Sequence, residues 1–270
     1  MLRFGLGLLA IFAASAAMAQ EPAIESTDDL VGRTREDAIV TPVNQLLTPY
    51  GKQVELAGMR PQALALSPDG KRLLVSGKTN DVVAIDPETA QVVQRIEMPP
   101  ESQTAPAAPS TNILQPDTRA QVSYTGLIYS HDGKTVYLSN VNGSVKVFTV
   151  EESGDLKPSH TITLPPANAP RRKQEIPSGL ALSADGAKLY VCGNLSNRLL
   201  EIDVKTGEAT KTYDVGVAPY DVVLVGNKAY VSNWGGRRPQ EGDLTGPAGR
   251  GTEVRVDPVR HIASEGSVSI

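Results

Sequence analysis

Two stretches of this 270-residue sequence concentrate the side chains best suited to chemistry. Arg171, Arg172 and Lys173 follow one another in APRRKQE. Trp234, Arg237, Arg238 and Arg250 fall within NWGGRRPQEGDLTGPAGRGT, with Arg255, Arg260 and His261 close behind. Neighbouring guanidinium groups make forked, charge-assisted hydrogen bonds to phosphate or carboxylate. The set therefore suits a small anionic ligand, or an anionic group on a protein partner. Glu241, Asp243, Glu253 and Asp257 are interleaved with these cations. If they pair with the arginines, the same residues instead fold the long loop onto itself. Both alternatives stand at this level.

Other chemistry is thin. His131, His160 and His261 lack metal-ligand spacing, and no Ser-His-Asp arrangement or nucleophile elbow is present. GPAGRGT is glycine-rich but lacks the Gly-Lys-Ser/Thr end of a phosphate loop, so it is not read as one. Catalytic and metal-ligating residues are thus none within this chain. The single cysteine, Cys192, excludes an internal disulfide and lies in an apolar run, as a buried small hydrophobe would.

The formal net charge of −4 gives no general attraction to nucleic acid or anionic lipid. Residues 1–19 read as a signal peptide: a basic start, an apolar run from Phe4 to Ala17, and Ala17-Met18-Ala19 before the cut. The run is short for a membrane span, which takes about 20 residues. The sequence therefore predicts an exported chain, periplasmic or secreted, with no span after cleavage. Residues 20–49 form an N-terminal extension.

From about residue 50 the sequence repeats itself. Units begin near Arg60, Ser123, Ile176 and Ala218. Each opens on an alternating run such as Ala63-Leu64-Ala65-Leu66. A turn such as Pro68-Asp69-Gly70, His131-Asp132-Gly133 or Ala184-Asp185-Gly186 follows, because Gly takes positive φ cheaply. The turn aspartates are read as turn formers. A second strand, a polar loop, a third strand ending in Ile-Asp and a fourth strand complete the unit. Val191 to Val231 spans 40 residues. Four short strands in that length make one blade of a β-propeller. The prediction is an all-β chain over residues 50–270 with about four blades, each of four antiparallel strands.

In a blade the loops from strand two to three and from strand four to the next blade share one rim. The connectors Pro99–Gln121 and Pro165–Glu175 and the insertion Trp234–Glu265 all fall there. Long loops gathered on one rim of a rigid scaffold commonly bind. Arg60, Gln62, Tyr124, Ser178, Tyr220 and Asp221 are placed at the channel mouth on that rim.

The units resemble the YVTN-family β-propeller repeat, a secreted relative of WD40-like blades. Tyr230-Val231-Ser232-Asn233 matches its signature most fully, followed by Val136-Tyr137-Leu138-Ser139-Asn140. Leu189-Tyr190-Val191-Cys192-Gly193 and Leu73-Leu74-Val75-Ser76-Gly77 match more loosely. The resemblance implies a seven-bladed ring. Gly51–Leu56 would be a lone fourth strand clasping the last blade, and the sequence would be a fragment, since Ser267–Ile270 aligns with the third strand Val82–Ile85. The loop NWGGRRP…GDLTGPAG resembles a subgroup that carries an alkaline-phosphatase-superfamily phosphoesterase domain after the propeller. That implies a divalent metal, with all its ligands beyond residue 270. The propeller lactonases share the scaffold, but no clustered carboxylate–histidine site accompanies it here. The expected function is a ligand- or partner-binding scaffold; the alternative is the propeller part of a metal-dependent hydrolase.

Overall fold

The computed structural model describes residues 31–35, 38–43, 45–99 and 122–270. The signal peptide and residues 100–121 of the first connector lie outside them. The chain divides into two units, Met1–Lys52 and Gln53–Ile270. In the first, β1 (Gly32–Arg35), β2 (Ala38–Val40) and β3 (Leu46–Leu47) form a three-stranded antiparallel sheet. No helix occurs among the described residues.

The second unit is a β-propeller arc of four blades. Blade one is β4 (Pro61–Leu66), β5 (Leu73–Gly77), β6 (Asp81–Asp86) and β7 (Gln91–Glu97). Blade two is β8 (Val122–Tyr129), β9 (Thr135–Asn140), β10 (Ser144–Val150) and β11 (Leu156–Thr163). Blade three is β12 (Pro177–Leu182), β13 (Lys188–Gly193), β14 (Arg198–Asp203) and β15 (Ala209–Asp214). Blade four begins with β16 (Pro219–Val225) and β17 (Lys228–Asn233). An insertion carrying a two-stranded ribbon, β18 (Thr245–Pro247) and β19 (Glu253–Arg255), comes next, and β20 (Ser267–Ser269) then pairs with β17. The first strands are innermost: β4 packs beside β8, β8 beside β12, and β12 beside β16.

The Ser-x-Asp-Gly turns explain why the hairpins recur. Ser67 donates its hydroxyl to Asp69 at 2.6 Å, and Asp69 accepts the Lys71 N–H at 3.1 Å. Ser130 with Asp132 and Ser183 with Asp185 repeat the 2.6 Å bond. Gly70, Gly133 and Gly186 take φ of 74°, 71° and 71° beside them. The serine hydroxyls hold all three carboxyls below their ordinary range. The Ile-Asp ends of the third strands work likewise: Asp86 accepts the N–H groups of Glu88 and Thr89, and Asp203 those of Lys205 and Thr206.

Successive strand residues face opposite sides, and the aligned positions follow one rule. Leu127 and Tyr129 pack toward blade one, Leu180 and Leu182 toward blade two, and Val222 and Leu224 toward blade three. The residues between them, Ile128 and Ala181, pack toward the following blade. Each fully buried Leu or Val contributes about 1.5–3 kcal/mol relative to exposure. Three such interfaces hold the arc without a disulfide, and Cys192 is free and buried within the third. Burial pushes its thiol well above the usual range.

One expectation needs correcting. Residues 51–56 do not form a strand: among the described residues no strand pairs with them to supply the partner a strand needs. Val54, Leu56 and Met59 instead lie against Val75, Val83 and Ile85 of blade one.

Candidate anion-binding site on the upper rim

The rim where first strands begin and second strands end carries the connector into blade three and the insertion. The connector into blade three is a short tongue. Ala169 and Arg172 bridge across it, and Ala167 donates its N–H to the Lys173 carbonyl at 2.6 Å. Ala167, Ala169 and Leu195 bury together beneath it.

The ribbon of the insertion ends in a tight turn at Gly249, Arg250 and Gly251, all at positive φ. That turn rests on the tongue: Arg171 donates its N–H to the Arg250 carbonyl at 3.0 Å. A β-carbon on Gly251 would stand 2.9 Å from the Pro170 ring, so only glycine allows this approach. The contact brings together cations nearly 80 positions apart in sequence. Arg171, Lys173 and Arg250 are exposed, and no hydrogen bond or ion pair among the described residues engages their side chains. Arg172 sits lower, donating to the carbonyls of Gln174, at 2.9 Å, and Val141. Burial and the charge of Arg250 lower its pKa, against the pull of Glu175.

The other arginines are committed elsewhere. Arg237 forks onto Asp243 at 2.7 and 2.8 Å, and Arg255 reaches the same carboxylate at 3.2 Å. Arg237 and the Gln240 N–H hold the Asp243 carboxyl far below the usual range. Arg255 also pairs with Glu265, and Arg260 with Asp257. Arg238 ties the insertion to blade three, donating to the carbonyls of Val215, at 2.7 Å, and Asn197, and to Asp214 at 2.9 Å.

At the mouth, Trp234 stacks on Tyr220 with ring centroids 4.1 Å apart and an interplanar angle of 14°, and is 61% exposed. The backbone of this corner is anchored from two blades. Thr125 donates its hydroxyl to the Tyr220 carbonyl, while Ser178 and Asn194 donate to that of Pro219. Ser178 is therefore a buried tie between blades three and four. Burial lifts the Asp221 carboxyl above its ordinary value, opposed by the Val222 N–H. Arg60 is exposed at the start of β4; Tyr124 belongs to β8, and its side chain lies outside the described residues.

Sequence reasoning missed Glu175. The three-residue steps Met59-Arg60-Pro61, Glu175-Ile176-Pro177 and Val217-Ala218-Pro219 lead into blades one, three and four, and place Met59, Glu175 and Val217 at one buried station. One Glu175 oxygen accepts the N–H groups of Ile176, Leu195 and Ser196 at 3.0, 3.0 and 3.3 Å. The other has no hydrogen-bond partner among the described residues and lies 4.0 Å from Arg198. A carboxylate in line with Met and Val was the available signal. Among the described residues, no three or more His, Cys, Asp or Glu side chains converge as metal ligands would.

No protein-family model matches the sequence, and no curated protein does. Solved structures resemble it. Kuenenia stuttgartiensis hydrazine synthase is 19% identical with a TM-score of 0.49, over 81% of this chain and 52% of that one. A U3-55K structure and the RRP9 WD40 repeats are each 14% identical with a TM-score of 0.49, over 67% of this chain and 47% of theirs. The chain thus spans about half the length of these structures. The propeller assignment rests on the blades described above.

Proposed function

We propose that this chain is an exported propeller scaffold whose upper rim holds an anionic group, phosphate or carboxylate, between Arg171, Lys173 and Arg250. The observation that carries this is the backbone contact between ribbon tip and tongue, Arg171 N–H to the Arg250 carbonyl, which sets three exposed cationic residues on one stretch of the rim, their side chains without a partner among the described residues. Like charges held together without counter-charge form a positive locus that attracts anions, most strongly at low salt. Hydrogen bonds to a charged group are worth about 1.5–3 kcal/mol each. Calorimetric titration with inorganic pyrophosphate tests it. Arg171→Ala and Arg250→Ala should each weaken binding about tenfold, roughly 1.4 kcal/mol, while Arg260→Ala changes little. Equal affinity in all four proteins would end the proposal.

The resemblance of the Asn233–Gly249 stretch to propellers fused to a phosphoesterase supports a second reading, in which the scaffold belongs to a metal-dependent hydrolase. On that reading this chain alone does not cleave a chromogenic phosphate ester with divalent metal present. Turnover by the chain would show that the chemistry lies within residues 1–270.

A further inference from the structure

On the rim opposite the tongue, the Ser-x-Asp-Gly turns follow one pattern, and blades one and two depart from it where they meet. The residue before each turn serine is Leu66, Tyr129 and Leu182 in blades one, two and three. Leu182 buries in the core between blades two and three. Tyr129 puts a phenol at the same station between blades one and two.

The residue five places after each serine donates its N–H to the serine hydroxyl: Arg72, Thr135 and Lys188, all at 2.9 Å. Lys188 pairs with Asp203 on the adjacent strand at 3.1 Å. Arg72 holds the matching place opposite Asp86, yet its side chain leaves its own blade. It donates to the Ser153 carbonyl of blade two at 3.2 Å and lies along Gly154. The Arg72 Nε and the Tyr129 hydroxyl are both buried without a hydrogen-bond partner among the described residues. Buried polar atoms are nearly always satisfied, so two orphans at one place point to a missing partner. Burial pushes the Tyr129 hydroxyl up to about 12, with the charge of Asp69 adding to it and that of Arg72 opposing. The phenol is therefore a donor at neutral pH.

Both atoms belong to the lining of a cleft of about 560 Å³ between the two blades, within the usual range of small-molecule pockets. Its walls are fixed. Gln94 exchanges two hydrogen bonds with the Leu156 backbone at 2.9 Å each, and the Gly133 turn rests on the Pro68 ring. Glu151 is paired with Lys157. The remaining charges of the lining cancel: Lys71, Arg72 and Lys134 against Asp69, Asp132 and Glu152. Asp69 and Asp132 commit Oδ1 to their turns, and Oδ2 accepts no hydrogen bond among the described residues.

We propose that this cleft is a second binding site, for a neutral, hydroxyl-rich ligand of saccharide size. A hydroxyl both donates and accepts. One ligand hydroxyl accepts from Tyr129 and Arg72 at the base, and its neighbours donate to Asp69 and Asp132 at the mouth. Pro68, Val150 and the Tyr129 ring supply apolar surface for the C–H face of a pyranose. The three unpaired acids disfavour a bare anion, which separates this cleft in chemistry from the upper rim.

Calorimetric titration of the 270-residue chain with the methyl glycosides of glucose, galactose and mannose tests this. At least one should bind, with an affinity unchanged by Arg250→Ala or by added pyrophosphate. Tyr129→Phe keeps the ring and removes the hydroxyl, and should weaken that sugar about fivefold. Arg72→Lys keeps the charge, loses the Nε donor and should act similarly. Because Tyr129→Phe also removes an unpartnered buried hydroxyl, its urea midpoint should be no lower than that of wild type. Failure of all three sugars to bind would overturn the proposal, as would binding that survives both substitutions. A lowered midpoint for Tyr129→Phe would show that the hydroxyl serves the fold, and would overturn it as well.

Discussion

Asp221 fills the space above the α-carbon of Gly179. A β-carbon there would stand 2.5 Å from the Asp221 α-carbon and 2.9 Å from the Tyr220 carbonyl oxygen. Gly126 holds the same register one blade earlier and faces the Ser178 carbonyl and Ser139 hydroxyl just as tightly. Glycine is what lets the innermost strands converge. Gly179→Ala should cost about 1–3 kcal/mol, the usual price of overpacking, in urea denaturation. Asp221→Ala should restore only part of the loss, because two of the obstructing atoms are backbone. A wild-type midpoint for Gly179→Ala would show that the strands can part.

The same Asp221 should make stability fall with rising pH. Burial raises its folded pKa above the ordinary value near 4. The folded state therefore binds the proton more tightly than the unfolded chain does. This contribution is fully present below the unfolded pKa and is lost as pH rises through the folded one. Asp221→Asn should be more stable than wild type at pH 7, with the gap narrowing toward pH 3. A gap that stays constant over that range would mean the carboxyl is not desolvated.

Glu175 should separate acceptor from charge. Its buried oxygen satisfies three backbone N–H groups at the root of the tongue. Removing one partner of a buried charge pair costs about 3–5 kcal/mol, and stranded donors add to it. Glu175→Ala should therefore lose several kcal/mol. Glu175→Gln keeps an acceptor for those donors and should lose much less. If Gln and Ala prove equally damaging in calorimetric unfolding, the negative charge facing Arg198 is what the tongue needs.

The fold was legible because it rests on local grammar. Asp-Gly turns, alternating runs and Ile-Asp strand ends each specify a hairpin or turn through neighbours a few residues away, and the structure forms them. The upper rim was legible only in composition. Arg237, Arg250 and Arg171 look alike in sequence, yet one forks onto Asp243 and two meet across a tongue–ribbon contact. That division depends on a glycine at 251 touching a proline at 170, a pairing with no local signature. The 51–56 segment went wrong for a related reason: its alternating pattern specifies a strand, but strand formation depends on an edge supplied from elsewhere.

Asp243 is the centre of the insertion, and its behaviour in acid checks the whole rim. It receives both nitrogens of the Arg237 fork, the Arg255 Nε and the Gln240 N–H. Its folded pKa is depressed, so its stabilising contribution is present above the unfolded value near 4 and is lost only as pH falls through the folded one. The insertion should hold together at pH 3, where an ordinary aspartate is mostly protonated. A carboxyl-carbon NMR titration should place the Asp243 midpoint well below those of other exposed acids. Asp243→Asn should speed amide exchange across residues 237–256 and leave β12–β14 unchanged, because the blades hold without the insertion. It should also loosen the seat of Arg250 on the tongue and weaken pyrophosphate binding without touching any ligand-facing group. A midpoint at the ordinary value, or unchanged exchange in the variant, would mean that the ribbon is held by its packing on blade three and not by this carboxylate.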